Sequence, residues 1–412
     1  MPADLVVIGL GHHGLPLAQA AVAAGIATIG YDPDPRQLSE PAAGRTPADI
    51  RRMVSGGFRA VTDPAALGRV RTAALCAPTP PGPDGALDLG PLTEATRALA
   101  ARMRPHTTVV VESAVQPGTT DSVLRPLLEE GSGLTAGRDF HLAYSPGRVD
   151  PGRRTPGYDH IPKVIGGLTP ACTEAAAAFY GRLTDKVVRA RGLREAETVQ
   201  VLETNFRHVN IALVNEMAVL CHDLGVDLWD VIRCAESKPY GFHSFRPGPG
   251  VGGHAVPLDP GTHPYGGRAL GPLRMVGLAQ EINGRMPQYV IQRCATLLNE
   301  HGKSARGARV LLLGVTYKPD LADLAGSPAT PIARRLMELG AAVSYHDPYV
   351  PHWRVHDQPI PRADLLYEAA AEADLTVLLQ HHHTYDLQGL AVKAQLLLDT
   401  RGAVPAGAAH RL

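Results

Sequence analysis

A short apolar run, Leu5-Val-Val-Ile, is followed at once by Gly9-x-Gly11-x-x-Gly14 and then by the alanine-rich stretch from Leu15 to Ala24. Strand, glycine turn and helix in that order meet the needs of a dinucleotide pyrophosphate. Glycines allow a tight turn and close approach of the backbone, and the exposed N–H groups at the helix start attract negative charge. His12 and His13 lie within the turn and belong to the same candidate site. A second apolar segment, Ala27-Thr-Ile-Gly-Tyr31, ends at Asp32, an acid placed to bind the adenosine ribose hydroxyls. Its charge would repel a ribose phosphate, so the expected cofactor is NAD rather than NADP.

Further strand-like segments, Ala73 to Ala77 and Thr108 to Glu112, end in polar or proline-rich turns. A parallel sheet brings such turns to its carboxyl edge, where ligands bind. Pro78, Thr79, Pro80, Glu112 and Ser113 are therefore cofactor-edge candidates, although the same residue types also serve in ordinary loop capping.

These residues must be positioned by more than one domain. The chain has 412 residues, 44% of them hydrophobic and 19% charged, with 40 basic side chains against 40 acidic ones. That balance argues against nucleic acid or anionic lipid as a partner. No apolar run reaches the roughly 18 residues of a membrane span, and the first strand begins almost immediately, so no membrane partner and a cytoplasmic location are expected. Cys76, Cys172, Cys221, Cys234 and Cys294 are scattered without paired-ligand spacing and are expected as buried free thiols. The adjacent His381, His382 and His383 cannot all face one ion, and no metal is expected. Helical spacing runs from about Glu195 to Ile232, broken at Leu224-Gly-Val-Asp227. Arg309-Val-Leu-Leu-Leu-Gly314 then opens a second α/β unit with strands near Ala342 to Tyr345, Leu375 to Leu379 and Leu396 to Asp399.

Gly9-Leu-Gly-His-His-Gly-Leu-Pro-Leu-Ala18, Ala77-Pro-Thr-Pro80, Ser145-Pro146, Phe206-Arg-His-Val-Asn-Ile-Ala212 with Asn215-Glu216, and Phe245-Arg-Pro-Gly-Pro-Gly-Val-Gly-Gly-His-Ala-Val-Pro-Leu-Asp-Pro260 occur in that order. Tyr317-Lys-Pro-Asp320, Ser327-Pro328, His346-Asp-Pro348 and Asp399-Thr-Arg401 follow. Together they resemble the UDP-glucose/GDP-mannose dehydrogenase family over nearly the whole chain, most closely its UDP-N-acetylmannosamine dehydrogenase branch. The resemblance implies an α/β fold of two Rossmann-like doubly wound domains joined by a central helical dimerisation segment. The expected divisions are 1–194 for NAD, 195–300 for the helical segment and 301–412 for the nucleotide sugar, in a homodimer.

Members of that family oxidise a primary alcohol to a carboxylate by two hydride transfers, holding the intermediate on a cysteine. Here Ala255 stands at the cysteine position, Gly147 at a glutamate, Ala114 at a threonine, Gln200 at a lysine and Thr204 at an asparagine. Alanine has no lone pair with which to attack an aldehyde. The expectation is a single hydride transfer on the sugar of a nucleotide sugar or nucleoside, as net oxidation or as a transient step in epimerisation or dehydration. The alternatives are a catalytically silent NAD-binding homologue and an ordinary 6-dehydrogenase using another nucleophile. Asp259 and His254, in the resembled loop, lead the candidates for proton transfer, with Tyr144, Glu203 and His208 behind them. Lys163, Arg207 and Arg246 are candidates to hold a substrate anion beside a flexible backbone wall of Pro247, Gly248, Gly250, Gly252 and Gly253. Lys318 is placed on the cofactor side. Ala325 replaces an arginine that in the family reaches the partner subunit's nucleotide sugar, which weakens the case for a standard diphosphate substrate.

Overall fold

The computed structural model describes residues 3–35, 47–68, 70–80, 82, 87–150, 157–253 and 273–412. They divide into two compact units, one of described residues up to Thr204 and one from Asn205 onward.

The first unit is built on strands β1 (Ala3–Ile8), β2 (Thr28–Tyr31), β3 (Arg59–Val61), β4 (Val70–Leu75), β5 (Thr108–Val111), β6 (His141–Tyr144), β7 (Lys163–Gly167) and β8 (Val187–Arg189), in the spatial order β3-β2-β1-β4-β5-β6-β7-β8. All neighbours are parallel except β6 and β7. Parallel strands need crossovers, here the helices α1 (Gly14–Ala23), α2 (Pro47–Ser55), α3 (Gly90–Ala100), α4 (Arg125–Ser132) and α5 (Pro170–Tyr180). The central strands are apolar on both faces. Val6, Ile8, Leu75, Val109 and Val111 enter one buried cluster, and Leu5, Val7, Ala74 and Val110 enter another, as a sheet covered by helices on both sides requires. The order reverses between β1 and β4, so the crevice for a ligand opens there.

The helical segment read from the sequence is α6 (Leu193–Asp223) followed by α7 (Leu228–Ala235), separated at Leu224–Asp227. Asp227 starts the second helix by accepting the Trp229 N–H at 2.9 Å. α8 (Arg274–Glu300) precedes the second sheet, whose strands β9 (Arg309–Leu313), β10 (Ala342–His346), β13 (Leu375–Leu378), β14 (Leu397–Asp399) and β15 (His410–Arg411) run parallel in the order β10-β9-β13-β14-β15. A separate ribbon pairs β11 (Arg354–Val355) with β12 (Gln358–Pro359). Leu311, Leu313 and Leu378 pack on one face of the second sheet, and Val310, Leu312 and Val377 on the other.

Cys76, Cys172, Cys221 and Cys294 are buried, but Cys234 is exposed. It lies two positions beyond the buried Ile232 on α7, so the helical period turns it away from the packed face.

Candidate active site

The glycine turn follows β1 directly. Gly9 has φ +95°, its N–H donates to Tyr31 O at 2.8 Å, and a Cβ there would lie 2.7 Å from Cys76 O. A Cβ on Gly14 would come within 1.9 Å of Gly9 O. Among the described residues nothing lies within 4 Å of the Cβ direction of Gly11, so they leave the outer side of the turn open. At the end of β2, the Asp32 carboxylate accepts the Leu10 N–H at 2.9 Å and the Asp34 N–H at 3.0 Å. A carboxylate offers about four acceptor positions, so these two bonds orient the group without exhausting it. Turn and acid therefore fit a dinucleotide, with the pyrophosphate against Gly9–Gly14 and a ribose at Asp32. His12 and His13 are half-buried within the turn.

Other edge residues serve the scaffold. Ser113 Oγ donates to Ala77 O and Thr79 Oγ1 to Ala114 O, each at 2.7 Å, tying the turns after β4 and β5 together. Pro80 O receives the Asp88 N–H at 2.8 Å, and Pro78 continues the same turn. Glu112 is buried and accepts from Lys163 Nζ at 2.8 Å and from the Tyr180 hydroxyl. Lys163 also reaches Pro146 O at 3.4 Å and lies 4.9 Å above the Tyr180 ring. The ammonium expected to meet a substrate anion is thus spent inside the unit, because a buried charge must be paired.

Tyr144 is fully buried and its hydroxyl bonds to Gln200 Oε1 and lies 3.2 Å from Ser113 O. Burial, together with the charges of Glu197 and Glu112, pushes its pKa well above the ordinary value. It is a protonated phenol locked to a neutral amide, at the position where the resemblance has a lysine. Glu197 accepts the Gly118 and Thr120 N–H groups, and Glu203 pairs with Arg148. Neither Tyr144 nor Glu203 is an idle base.

In the second unit the Gly248 N–H donates to Asn215 Oδ1 at 2.9 Å, and Asn215 Nδ2 donates to Asn283 Oδ1 at 2.8 Å. Asn283 Nδ2 donates in turn to His208 O at 3.2 Å. His208 is buried; desolvation and then the Arg207 charge lower its pKa, so its imidazole is neutral near pH 7. The Gly253 N–H donates to Ala325 O at 2.8 Å, and at φ +102° a Cβ there would lie 2.7 Å from the Tyr317 ring. The wall of Pro247, Gly248, Gly250, Gly252 and Gly253, expected to be flexible, is instead pinned by hydrogen bonds and close packing. Arg207 and Arg246 are exposed. Lys318 is half-buried, with its carbonyl accepting from Thr316 Oγ1 at 2.8 Å.

The chain matches the UDP-glucose/GDP-mannose dehydrogenase family three times in succession: the NAD binding domain over residues 3–184, the central domain over 194–285 and the UDP binding domain over 311–406. The chain belongs to this family. It is 30% identical to the UDP-N-acetyl-D-mannosamine dehydrogenase of Escherichia coli K12, over 97% of this chain and 99% of that protein. It is 28% identical to the same-named protein of Methanocaldococcus jannaschii, covering 96% and 92%. The solved UDP-D-ManNAc dehydrogenase of Pyrococcus horikoshii superposes with a TM-score of 0.84 at 27% identity, covering 98% of this chain and 97% of that one.

Family membership makes this chain an α/β oxidoreductase whose cofactor is NAD. His254, Ala255 and Asp259 lie outside the described residues. The structure adds Arg401, whose Nε donates to Leu379 O at 2.7 Å and whose Nη1 lies 2.9 Å from the Cβ direction of Gly248. Burial lowers its pKa to about 10, which still leaves it charged at neutral pH. The motif Asp399-Thr-Arg401 was visible in the sequence, but only the fold brings Arg401 to Gly248. His382, in the histidine run, accepts the Asp320 N–H at 2.9 Å and lies 3.0 Å from Asp347 Oδ2.

Proposed function

We propose that this protein performs a single NAD-dependent hydride transfer on the sugar of a nucleotide sugar or nucleoside, as net oxidation or as a transient step in epimerisation or dehydration. The observation carrying this reading is a complete dinucleotide turn with its acid, Gly9 to Gly14 and Asp32, in a chain that has Ala255 where the family resemblance places a cysteine. The second half of a four-electron oxidation needs a covalent or hydrated aldehyde; the first half needs only a positioned C–H bond and a proton acceptor. NAD, when bound, supplies the hydride acceptor. This chain's residues hold it and shape the site, while Gln200 on Tyr144 keeps the lysine position neutral.

Within the resembled loop His254 and Asp259 are the candidates for proton transfer. Arg207 and Arg246 are the candidates for substrate phosphates, joined by Arg401, and Lys318 stays on the cofactor side. The relatives named as UDP-N-acetyl-D-mannosamine dehydrogenases support a uridine diphosphate sugar as the first substrate class to test. The working unit is a homodimer in the cytoplasm. Phe206, Leu213 and Leu220 are half-exposed at seven-residue spacing on α6, and Met275 and Leu278 are exposed on α8, an apolar stripe of the kind that pairs helices. Among the described residues no helix is long and apolar enough to cross a membrane.

The test is mass spectrometry of nucleotide sugars incubated with the protein and NAD in heavy water. Loss of two hydrogens, deuterium uptake without net oxidation, or loss of water would each support one form of the single transfer. An oxygen gained in place of two hydrogens would mean that acid formation survives without the cysteine. No exchange on any substrate, with NAD retained, would favour a silent binding homologue.

A further inference from the structure

His13 reaches across the mouth of the first sheet. In the order β1-β4-β5-β6, three inter-strand steps of about 4.8 Å separate the end of β1 from the end of β6, roughly 14 Å. Yet Gly147, three residues beyond β6, packs on the imidazole of His13, which follows β1. A Cβ on Gly147 would lie 2.7 Å from His13 Nδ1 and 3.0 Å from Cε1. The segment after β6 therefore returns over the ends of β5 and β4 to the crevice where the strand order reverses, which is where a ligand binds in this architecture.

That segment has little room to withdraw. The Ser145 N–H donates to Val111 O at 2.9 Å, Lys163 Nζ lies 3.4 Å from Pro146 O, and Arg148 Nη1 donates to Pro162 O at 2.9 Å. Any side chain at 147 would have to displace the imidazole. Around the same edge, Glu112 is paired with Lys163, Tyr144 is bonded to Gln200, and Glu203 is paired with Arg148. Among the described residues, the other ionisable groups on or next to the elements packed against α1 are His12 beside it, Asp4 on β1, Tyr31 on β2 and Asp32 after it, Arg51 and Arg52 on α2, and Tyr158, Asp159 and His160 on the turn Tyr158–His160. Asp32 accepts the Leu10 and Asp34 N–H groups, and His160 is paired with Asp185.

We propose that His13 is an acid–base residue of this site on the cofactor side, in addition to the candidates of the resembled loop, and that Gly147 lacks a side chain so that the imidazole can stand over the crevice. The inference rests on the hydride-transfer reading above. An imidazole is suited to the task because it gains and loses a proton near neutral pH. In the oxidative direction the His13 imidazole would take the proton of the substrate hydroxyl and become an imidazolium as the alcohol becomes a carbonyl, and NAD, when bound, would supply the acceptor for the hydride released from the C–H bond. In the reverse direction the imidazolium would return the proton to the alcohol oxygen.

The test follows the His13 Cε1–H signal by NMR across pH in the full-length protein. The signal is assigned by its loss in His13→Gln, and titrated with saturating NAD⁺ and with saturating NADH. The two forms differ by one charge on the ring that exchanges hydride, so the titration midpoint is expected to move by on the order of one pH unit between them. A histidine that stands away from that ring, as a purely structural one would, shows the same midpoint in both. An unchanged midpoint with both forms bound overturns the proposal and leaves the cofactor site standing, whereas failure of either form to bind removes both. As a second arm, Gly147→Ala is expected to weaken NADH binding severalfold, and His13→Ala to restore it in the double variant. Full NADH affinity in Gly147→Ala alone would overturn the steric half of the proposal.

Discussion

The two sheets end their first strands with the same device and use it differently. Gly9 (φ +95°) and Gly314 (φ +70°) each follow a first strand and donate to the last residue of the neighbouring strand, Tyr31 O at 2.8 Å and His346 O at 3.0 Å. Each turn is then held by an acid beyond that neighbour: Asp32 accepts the Leu10 N–H at 2.9 Å, and Asp347 accepts the Val315 N–H at 2.8 Å. In the first unit the chain passes from the turn directly into α1, and Asp32 has two backbone partners. In the second, the chain runs on to α9 (Ala329–Glu338) before a helix begins, and fully buried Asp347 takes His382 Nε2 as a third partner at 3.0 Å. Burial alone would raise the Asp347 pKa. The hydrogen bond from His382, with those from the Tyr349 and Val315 N–H groups, outweighs it and holds the group below the usual carboxylate range. One acid keeps acceptor capacity for a ribose, and the other is committed to its own fold. The same local geometry thus leaves an acid open to a ligand or commits it as a brace, depending on what packs against it.

Substitutions at matched positions should separate these roles. Asp347→Ala leaves buried His382 and two N–H groups without their acceptor, and is expected to destabilise the protein by about 3–5 kcal/mol with little change in NADH affinity per folded molecule, read by urea denaturation and fluorescence titration. Equal loss of cofactor binding at full stability would erase the distinction between the two acids. Lys163→Ala strands Glu112 in the interior and should also cost about 3–5 kcal/mol, because a broken buried pair leaves an uncompensated charge. A drop below about 1 kcal/mol would show that Glu112 finds another partner. Asp32→Ala should act mainly on the cofactor, raising the NADH Kd about tenfold, which corresponds to about 1.4 kcal/mol.

The smallest effect concerns pH. In the second unit, burial is the leading cause that lowers the pKa values of both His208 and His346 below 6.5, assisted by Arg207 and Arg362 respectively. A histidine that is harder to protonate when folded contributes fully above its unfolded pKa, and that contribution is lost as pH falls below about 6.5 toward the folded value. Melting temperature should therefore decline between pH 7.5 and 5.5, and His208→Gln should reduce the decline. An identical decline in the variant would assign it to other groups.

Much of the fold was readable because its signals are local. The glycine turn, the apolar strands, Asp32 and the break at Leu224–Asp227 each depend on neighbours within a few residues. Family membership was also readable, since its motifs recur in order along the whole chain. The fates of the charged candidates were harder to read. Lys163 and Arg401 are both single basic residues near strand ends, yet Lys163 is consumed by Glu112, 51 positions away, whereas Arg401 comes up against Gly248. Nothing in their spacing distinguishes them.

By itself the sequence determined that a glycine turn, an acid after the second strand and a second α/β unit exist, and that Ala255 stands where the family resemblance places a cysteine. Turn geometry and hydrophobic period are encoded within short windows, and a residue's identity needs no fold to be known. Only the tertiary structure decided which polar groups are spent on one another, as with Tyr144 on Gln200 and Asp347 on His382, and that Gly147 makes room for His13. Those outcomes depend on which strands lie side by side and which side chains lose water together, and burial fixes both only when the whole sheet is assembled.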